Sequence, residues 1–424
     1  MATLKRKDNK GRILKDGESQ RKDGSYRFRY TDATGKRHDI YSNRLVPTDK
    51  TPKGCKDDLS LREKEKLINR DLDDGIKAKV ENNATLNDFF DLYMSTKTNL
   101  KESVRTNYLY MYNRFVRGSL GKKRISTIKY SDIKKFYNSL IKDFGLKPNS
   151  MEIIHTLLHP TCKLAVRDNC IRVNPTSDVM SEIKKEHNWE KTKRIALTVE
   201  EQTAFINFVA NSPTYKRWLP LFATFLGTGG RVGEITGLRW EDCDFEDMSI
   251  SINHSLIYRQ YLGEPESCFH VTSPKTTAGT RSIPMLPDVK KALIQEYEYQ
   301  KVFGFNDTIV DGYSGFIFQN RYGNVMSAHN INRAIDRILL AYNTDEKKKA
   351  VEEGREPLLI RHFSVHNLRH TFCTRLCEKE INPKVIQEIM GHASIETTLD
   401  IYAEVTEQKK REFAENLDGK IKIL

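Results

Sequence analysis

The sequence predicts an α+β chain of several domains: a small three-stranded β-sheet with one helix, an all-α four-helix domain, and a mixed, mainly α-helical domain with a small antiparallel sheet. Three observations carry this. At 424 residues the chain is longer than a single ordinary core sustains. In the first eighty positions, Tyr26-Arg27-Phe28-Arg29-Tyr30 alternates aromatic residue and arginine with period two. From Thr85 to Asn174 only the helical period appears, and from Ile195 onward both periods alternate. The boundaries read as 1–82, 83–185 and 195–405, followed by a tail, 406–424.

In the first unit, Ser25-Tyr26-Arg27-Phe28-Arg29-Tyr30 reads as a strand with an aromatic face inward and a cationic face outward. Ala33-Thr34-Gly35-Lys36 offers a hairpin turn before a second strand, Arg37 to Tyr41, and Gly11 to Leu14 supplies a third. Helical composition follows from Ser60 to Ile76. Amphipathic stretches then cover Leu86–Met94, Ser103–Val116, Tyr130–Phe144 and Asn149–Val166, broken at Gly118, Gly121 and Gly145. Pro160 lies within the last stretch and should kink or interrupt it. A charge-rich linker is expected from Asn174-Pro175 through Lys193. Beyond it, helices are expected at Val199–Ala210, Tyr215–Leu226, Leu286–Lys301, Ala328–Tyr342, Leu368–Lys379 and Pro383–Met390, with strands at Met248–Tyr258, Phe269–Thr272 and Arg281–Met285.

The formal net charge of +13 favours a polyanionic partner, and the first 50 residues hold 14 Lys and Arg against 7 Asp and Glu. The longest apolar run, Leu219 to Leu226, is far short of the roughly 20 residues that span a bilayer. The start, Met1 to Lys7, is charged and lacks the apolar stretch of a secretory signal, and no membrane partner is expected. Seven scattered cysteines without a C-x-x-C pair indicate neither a disulfide framework nor a metal site. Cys373 and Cys377 read as buried helix residues.

Four motifs in the third unit carry chemistry. Gly227-Thr228-Gly229-Gly230-Arg231-Val232-Gly233-Glu234 ends one helix and starts another, leaving free N–H groups beside a guanidinium, a good place for an anion. Ser273-Pro274-Lys275 to Arg281 reads as a strand–turn–strand that lifts Lys275 toward a hairpin tip. In His366-Asn367-Leu368-Arg369-His370, His366 and Arg369 share a helix face. Met390-Gly391-His392 precedes Tyr402. Singly, each has a plain structural reading: an Arg231–Glu234 helix pair, a solvated turn lysine, a helix cap, a core tyrosine. Their joint occurrence in this order is the signal.

These residues resemble the tyrosine recombinase, or phage integrase, family. The pattern is Arg231, Lys275, His366, Arg369, His392 and Tyr402, with matching words at Leu238-Arg239-Trp240, Leu368-Arg369-His370-Thr371-Phe372 and Met390-Gly391-His392-Ala393-Ser394. Asp8 to Leu14 and Gly17 to Gly24 look like integrases of Gram-positive conjugative transposons. Pro160 is a departure; no catalytic position departs.

The resemblance implies an arm-type DNA-binding domain (1–82), a core-binding helical domain (83–185) and a catalytic domain (195–405). Arg231 and Arg369 would clamp the scissile phosphate, since planar guanidinium forks suit phosphate oxygens. Tyr402 would attack phosphorus to leave a 3′-phosphotyrosine, with His366 as base, Lys275 as general acid, His392 as a hydrogen-bond donor and Glu234 orienting Arg231 or His366. No metal, cofactor or ATP is needed. Arg27 and Arg29 are candidates to meet DNA through a ribbon entering a groove. Expected partners are double-stranded DNA at core-type and arm-type sites and a homotetramer in the synaptic complex, with an accessory excision protein left open. The tail would dock on a neighbouring protomer, and the expected compartment is the bacterial cytoplasm, at the nucleoid. A type IB topoisomerase, a silent DNA-binding regulator and an RNA-binding protein are the rival readings.

Overall fold

The computed structural model describes residues 6–31, 35–73, 83–189, 195–274, 279–379 and 381–405. Contacts divide the chain into two compact units, Met1–Lys191 and Thr192–Leu424.

The first unit opens with an antiparallel sheet, β1 (Glu18–Gln20), β2 (Tyr26–Thr31) and β3 (Arg37–Ser42), followed by α1 (Leu61–Asp73). The alternation in β2 sends Tyr26, Phe28 and Tyr30 into a small core with Ile40, Leu45, Leu61 and Ile68, and leaves Arg27 and Arg29 on the opposite face. The third strand is Glu18–Gln20, not Gly11–Leu14. The Asp8 carboxylate accepts the N–H groups of Lys10 and Arg12 at 3.0 and 2.8 Å, which folds that segment into a turn, and it keeps only an isolated bridge between Lys7 and Ile13. Of the expected hairpin turn, residues 33 and 34 lie outside the described residues.

Among the described residues of this unit, α2 (Leu86–Ser95), α3 (Glu102–Phe115), α4 (Tyr130–Phe144), α5 (Pro148–Arg167) and α6 (Val179–Glu186) follow. Thr85 and Asp88 form a reciprocal capping box at the start of α2. Phe90 stacks on Tyr112 with ring centroids 3.5 Å apart, in a core with Ile133, Tyr137 and Leu157. Helix α5 passes through Pro160 without interruption. A proline removes one backbone donor and strains one turn, whereas α5 buries seven residues, including Ile154, Leu157 and Leu158, that hold it in register. The segment from Asn174 through Lys193, expected as a linker, contains α6, whose Val179, Met180 and Ile183 are buried at helical spacing among charged neighbours.

The second unit contains α7 (Val199–Asn211), α8 (Leu219–Thr228), α9 (Val232–Thr236), β4 (Cys243–Asp244), β5 (Ser249–Ile252), β6 (Ser255–Arg259), β7 (Cys268–Thr272), β8 (Arg281–Pro284), α10 (Pro287–Phe303), α11 (Ala328–Glu353), α12 (Val365–Glu378) and α13 (Pro383–Met390). Among the described residues the final helix, α14, spans 395–405. The run expected as one strand from Met248 to Tyr258 breaks at Asn253-His254, because the buried His254 ring turns back to the Gly237 carbonyl at 2.6 Å. Its halves enter different sheets, β4-β5-β8 and β6-β7. Hence the strands flanking Lys275 are not partners in one hairpin, as expected, but members of two sheets. Apolar α8 packs against α10 and α12, with Phe222, Phe225, Leu293 and Leu368 in the main core. No described helix is long and apolar enough to cross a membrane.

Candidate active site

Helix α8 ends at Thr228, and Gly229 caps it in the left-handed conformation (φ +61°). A Cβ at this position would lie 2.4 Å from Phe372 Cδ1 and 2.9 Å from Met390 Sδ. The backbone therefore touches α12 and α13 directly, and both conformation and space require glycine. Gly229→Ala is expected to destabilise the fold by about 1–3 kcal/mol through backbone strain and overpacking, read as a lower urea midpoint.

Two residues on, Arg231 caps α9. Its N–H donates to Glu234 Oε2 at 2.8 Å, and its guanidinium reaches Glu234 Oε1 at 2.7 Å. Its other arm donates to the Gly391 carbonyl at 2.8 Å. Arg369, on α12, donates to the carbonyls of Gly229 (2.8 Å) and Met390 (2.6 Å). Arg281, at the start of β8, donates through Nε to the Ile389 carbonyl at 2.7 Å and through Nη2 to Glu234 Oε2 at 2.8 Å. Three arginines from distant parts of the unit thus satisfy three successive carbonyls at the C-terminal end of α13. Those carbonyls have no intrahelical partner, and the helix dipole makes that end attractive to cations.

The charges are unequally accommodated. Burial works to raise the Glu234 carboxyl, but its bonds with Arg281 and its contact with Arg231 bring it down to about 2. Burial, then repulsion from Arg231, pulls the Arg369 guanidinium down to about 9. Among the described residues, the hydrogen bonds Arg369 makes are to neutral carbonyls, and only 5% of it is exposed, against 42% of the Arg231 side chain. A buried cation beside a second cation is stabilised by any anion that reaches both.

His392 follows Gly391 and is buried. Burial, then the Arg369 and Arg231 charges, depress its imidazole to about 4, so it is neutral near pH 7. Nδ1 lies 2.9 Å from Thr398 Oγ1 on α14. The unfolded chain takes up this proton near its ordinary value of 6.5, so stability is complete above that pH and falls as pH drops toward about 4. The loss is at most about 3 kcal/mol. Urea midpoints measured across this window should slope for the wild type and slope less for His392→Gln.

His366 lies in the first turn of α12, half-buried, one turn before Arg369. Tyr402, on α14, is half-buried and packs against the cluster of Phe372, Cys373, Cys377, Ile386 and Met390. Thr398 and Tyr402 are four apart and share a helix face, so the His392–Thr398 contact helps to fix the face that carries the tyrosine. Lys275 lies outside the described residues. In the other unit Arg29 forms a two-pronged pair with Asp39 at 2.8 and 2.9 Å, and Arg27 bonds Ser19 Oγ at 3.2 Å.

Sequence reasoning overlooked Arg281 and Thr398. Arg281 stands 47 positions from Glu234, beyond any local pattern; Thr398 carries a weak signal, its placement one turn before Tyr402 on the same helix.

Residues 196–409 match the phage integrase family, residues 2–72 the DNA binding domain of the Tn916 integrase, and residues 85–141 the phage integrase N-terminal SAM-like domain. The chain is 33% identical over 404 residues to the transposase from transposon Tn916 of Enterococcus faecalis, covering 95% of this chain and 94% of that one. Identity is the same, with the same coverage, to the transposase from transposon Tn1545 of Streptococcus pneumoniae. Among solved structures, the Tn1549 transposon integrase in complex with a circular intermediate DNA superposes with a TM-score of 0.66 at 27% identity, over 78% of this chain and 99% of that one. A lambda integrase tetramer bound to a Holliday junction shares the fold, with a TM-score of 0.53 at 19% identity over 92% and 95% of the two chains.

Proposed function

From the premise that this chain belongs to the phage integrase family, as a tyrosine recombinase that breaks and rejoins DNA, we propose that Arg231 and Arg369 bind the scissile phosphate and that Tyr402 attacks it. The enzyme is a site-specific integrase, acting in the integration and excision of a mobile element.

What supports the site assignment is Arg369: its guanidinium is depressed first by burial and then by the charge of Arg231, and it is bonded to neutral carbonyls. A phosphodiester placed between the two guanidinia neutralises that repulsion, most strongly when charge builds on its oxygens in the transition state. Attack by the Tyr402 oxygen forms a 3′-phosphotyrosine and releases a 5′-hydroxyl. His366 takes the phenolic proton and Lys275 gives one to the departing oxygen. Neutral His392 donates a hydrogen bond to the phosphate from Nε2, while Nδ1 accepts from the Thr398 hydroxyl. Glu234 holds Arg231 and Arg281 in place from behind. Since the phosphotyrosine conserves the diester bond energy, a 5′-hydroxyl from another duplex reverses the step without ATP.

In this reading residues 1–82 grip arm-type DNA, residues 83–185 and the catalytic domain at 195–405 grip the core site, and four protomers assemble for strand exchange. Arg27 and Arg29 meet arm DNA, Arg29 by exchanging Asp39 for phosphate or a base edge. An accessory excision protein is a partner to be sought by adding host and element extracts to an excision assay.

The deciding experiment is covalent trapping. Full-length protein is incubated with a nicked duplex bearing the element's end, in chelator and without ATP, then denatured and digested. A DNA-linked peptide carrying the 3′-phosphate on Tyr402 is the expected result. Tight binding without an adduct, on a duplex with the correct site, would establish instead a DNA-binding regulator that does not cut.

A further inference from the structure

We propose that Glu264, Cys268 and His270 form a zinc site that cross-braces the β6–β7 hairpin, separate from the residues assigned to the phosphate.

In β7, Cys268 and His270 are two apart and project from one face of the strand. The turn brings Glu264 to the same place, held by the Tyr261 N–H at 2.6 Å and by a bond from Gln260 Nε2 to the Glu264 carbonyl at 2.8 Å. His270 Nε2 lies 3.2 Å from Cys268 Sγ and 3.2 Å from Glu264 Oε1. The three ligand atoms lie within 4.8 Å of one another. A tetrahedral zinc ion with sulfur at about 2.3 Å and nitrogen or oxygen at about 2.0–2.1 Å separates its ligands by roughly 3.3–3.7 Å, so small side-chain rotations close the site. A thiolate, an imidazole and a carboxylate suit zinc; magnesium and calcium prefer oxygen alone. Cys268 binds as the thiolate, its proton passing to solvent, and two anionic ligands neutralise the dication. Water completes the tetrahedron.

A second observation is independent of these three atoms. The other ring nitrogen of His270, Nδ1, faces Asp311 Oδ2 at 3.8 Å, and that carboxylate is anchored by the Val271 N–H at 2.8 Å. Metal-bound histidines characteristically present their free N–H to such a carboxylate. The Tyr261 ring lies against the imidazole with centroids 4.3 Å apart, holding its plane. The spacing Glu264-x3-Cys268-x-His270 lacks paired cysteines, so the sequence alone does not suggest it. The hairpin is rooted beside the helix that Arg231 caps: a Cβ on Gly233 would meet Ser255 Oγ at 2.4 Å and the Leu256 carbonyl at 2.5 Å.

The test uses the full chain without DNA. Equilibrium dialysis against zinc should leave one tightly held equivalent per chain, and cobalt should produce a thiolate-to-metal charge-transfer band. Cys268→Ser should remove the band and His270→Ala the tightly held equivalent, while circular dichroism stays unchanged. Cys55→Ser, at another exposed cysteine, should alter neither. Asp311→Asn should weaken binding by about 10–100-fold. No cobalt–thiolate band in the folded wild type, or a band that survives Cys268→Ser or disappears in Cys55→Ser, overturns the proposal.

Discussion

Tyr402→Phe is expected to abolish the covalent protein–DNA adduct while leaving DNA binding and folding intact. The substitution removes one oxygen and keeps the ring, and it is the ring that packs with Phe372, Ile386 and Met390. Stability should move by no more than about 1 kcal/mol, the scale of a single hydrogen bond. No neighbouring side chain inherits the role at the same position, because an in-line attack demands one oxygen opposite the leaving group. Denaturing gels of a nicked substrate, paired with a gel shift and a urea curve, separate the three readouts. An adduct that persists in Tyr402→Phe would mean the nucleophile lies elsewhere.

Arg369→Met is expected to slow adduct formation by on the order of 10²–10³ with a much smaller change in stability. The substitution leaves two carbonyls, Gly229 and Met390, without this donor, which costs about 1–3 kcal/mol. It also removes a buried cation that Arg231 repels, and replacing buried charge by an apolar side chain of similar length often offsets such losses. Arg369→Lys keeps a charge but not the planar fork, and should recover only part of the rate. Single-turnover trapping gives the rate, and urea unfolding of the same proteins gives the stability. A rate loss that merely follows the unfolded fraction would make Arg369 a structural residue alone.

What the sequence made legible was local. The glycines before Arg231, the three-residue step from His366 to Arg369 and the alternation at Tyr26-Arg27-Phe28 each use a period within one element, and the backbone obeys that period. Helix α6 was hidden because three apolar residues among charged ones resemble a solvated linker. The break at Asn253-His254 was hidden because its cause, the bond from His254 to Gly237, is tertiary. The same holds for Arg281: a lone arginine after a turn gives no hint that it joins Glu234 to the Ile389 carbonyl. The candidate site's residue types were thus readable in one dimension. The way α13 gathers them was not, since its partners are main-chain oxygens, which no sequence pattern marks.

That last point bears on how the protein can change. Arg231, Arg281 and Arg369 grip oxygens that every amino acid supplies, so the identities of the side chains at 389 and 390 do not enter the grip. Drift at those two positions is limited by packing alone: Met390 is fully enclosed and Ile389 partly so. Gly391 is held differently, by its left-handed φ of +62°. A lineage can therefore exchange apolar residues along this helix, retuning its fit to α12, without disturbing the arginines. Deep mutational scanning should show this as a short tolerant stretch of apolar exchange at 389 and 390, bordered by an intolerant glycine and histidine.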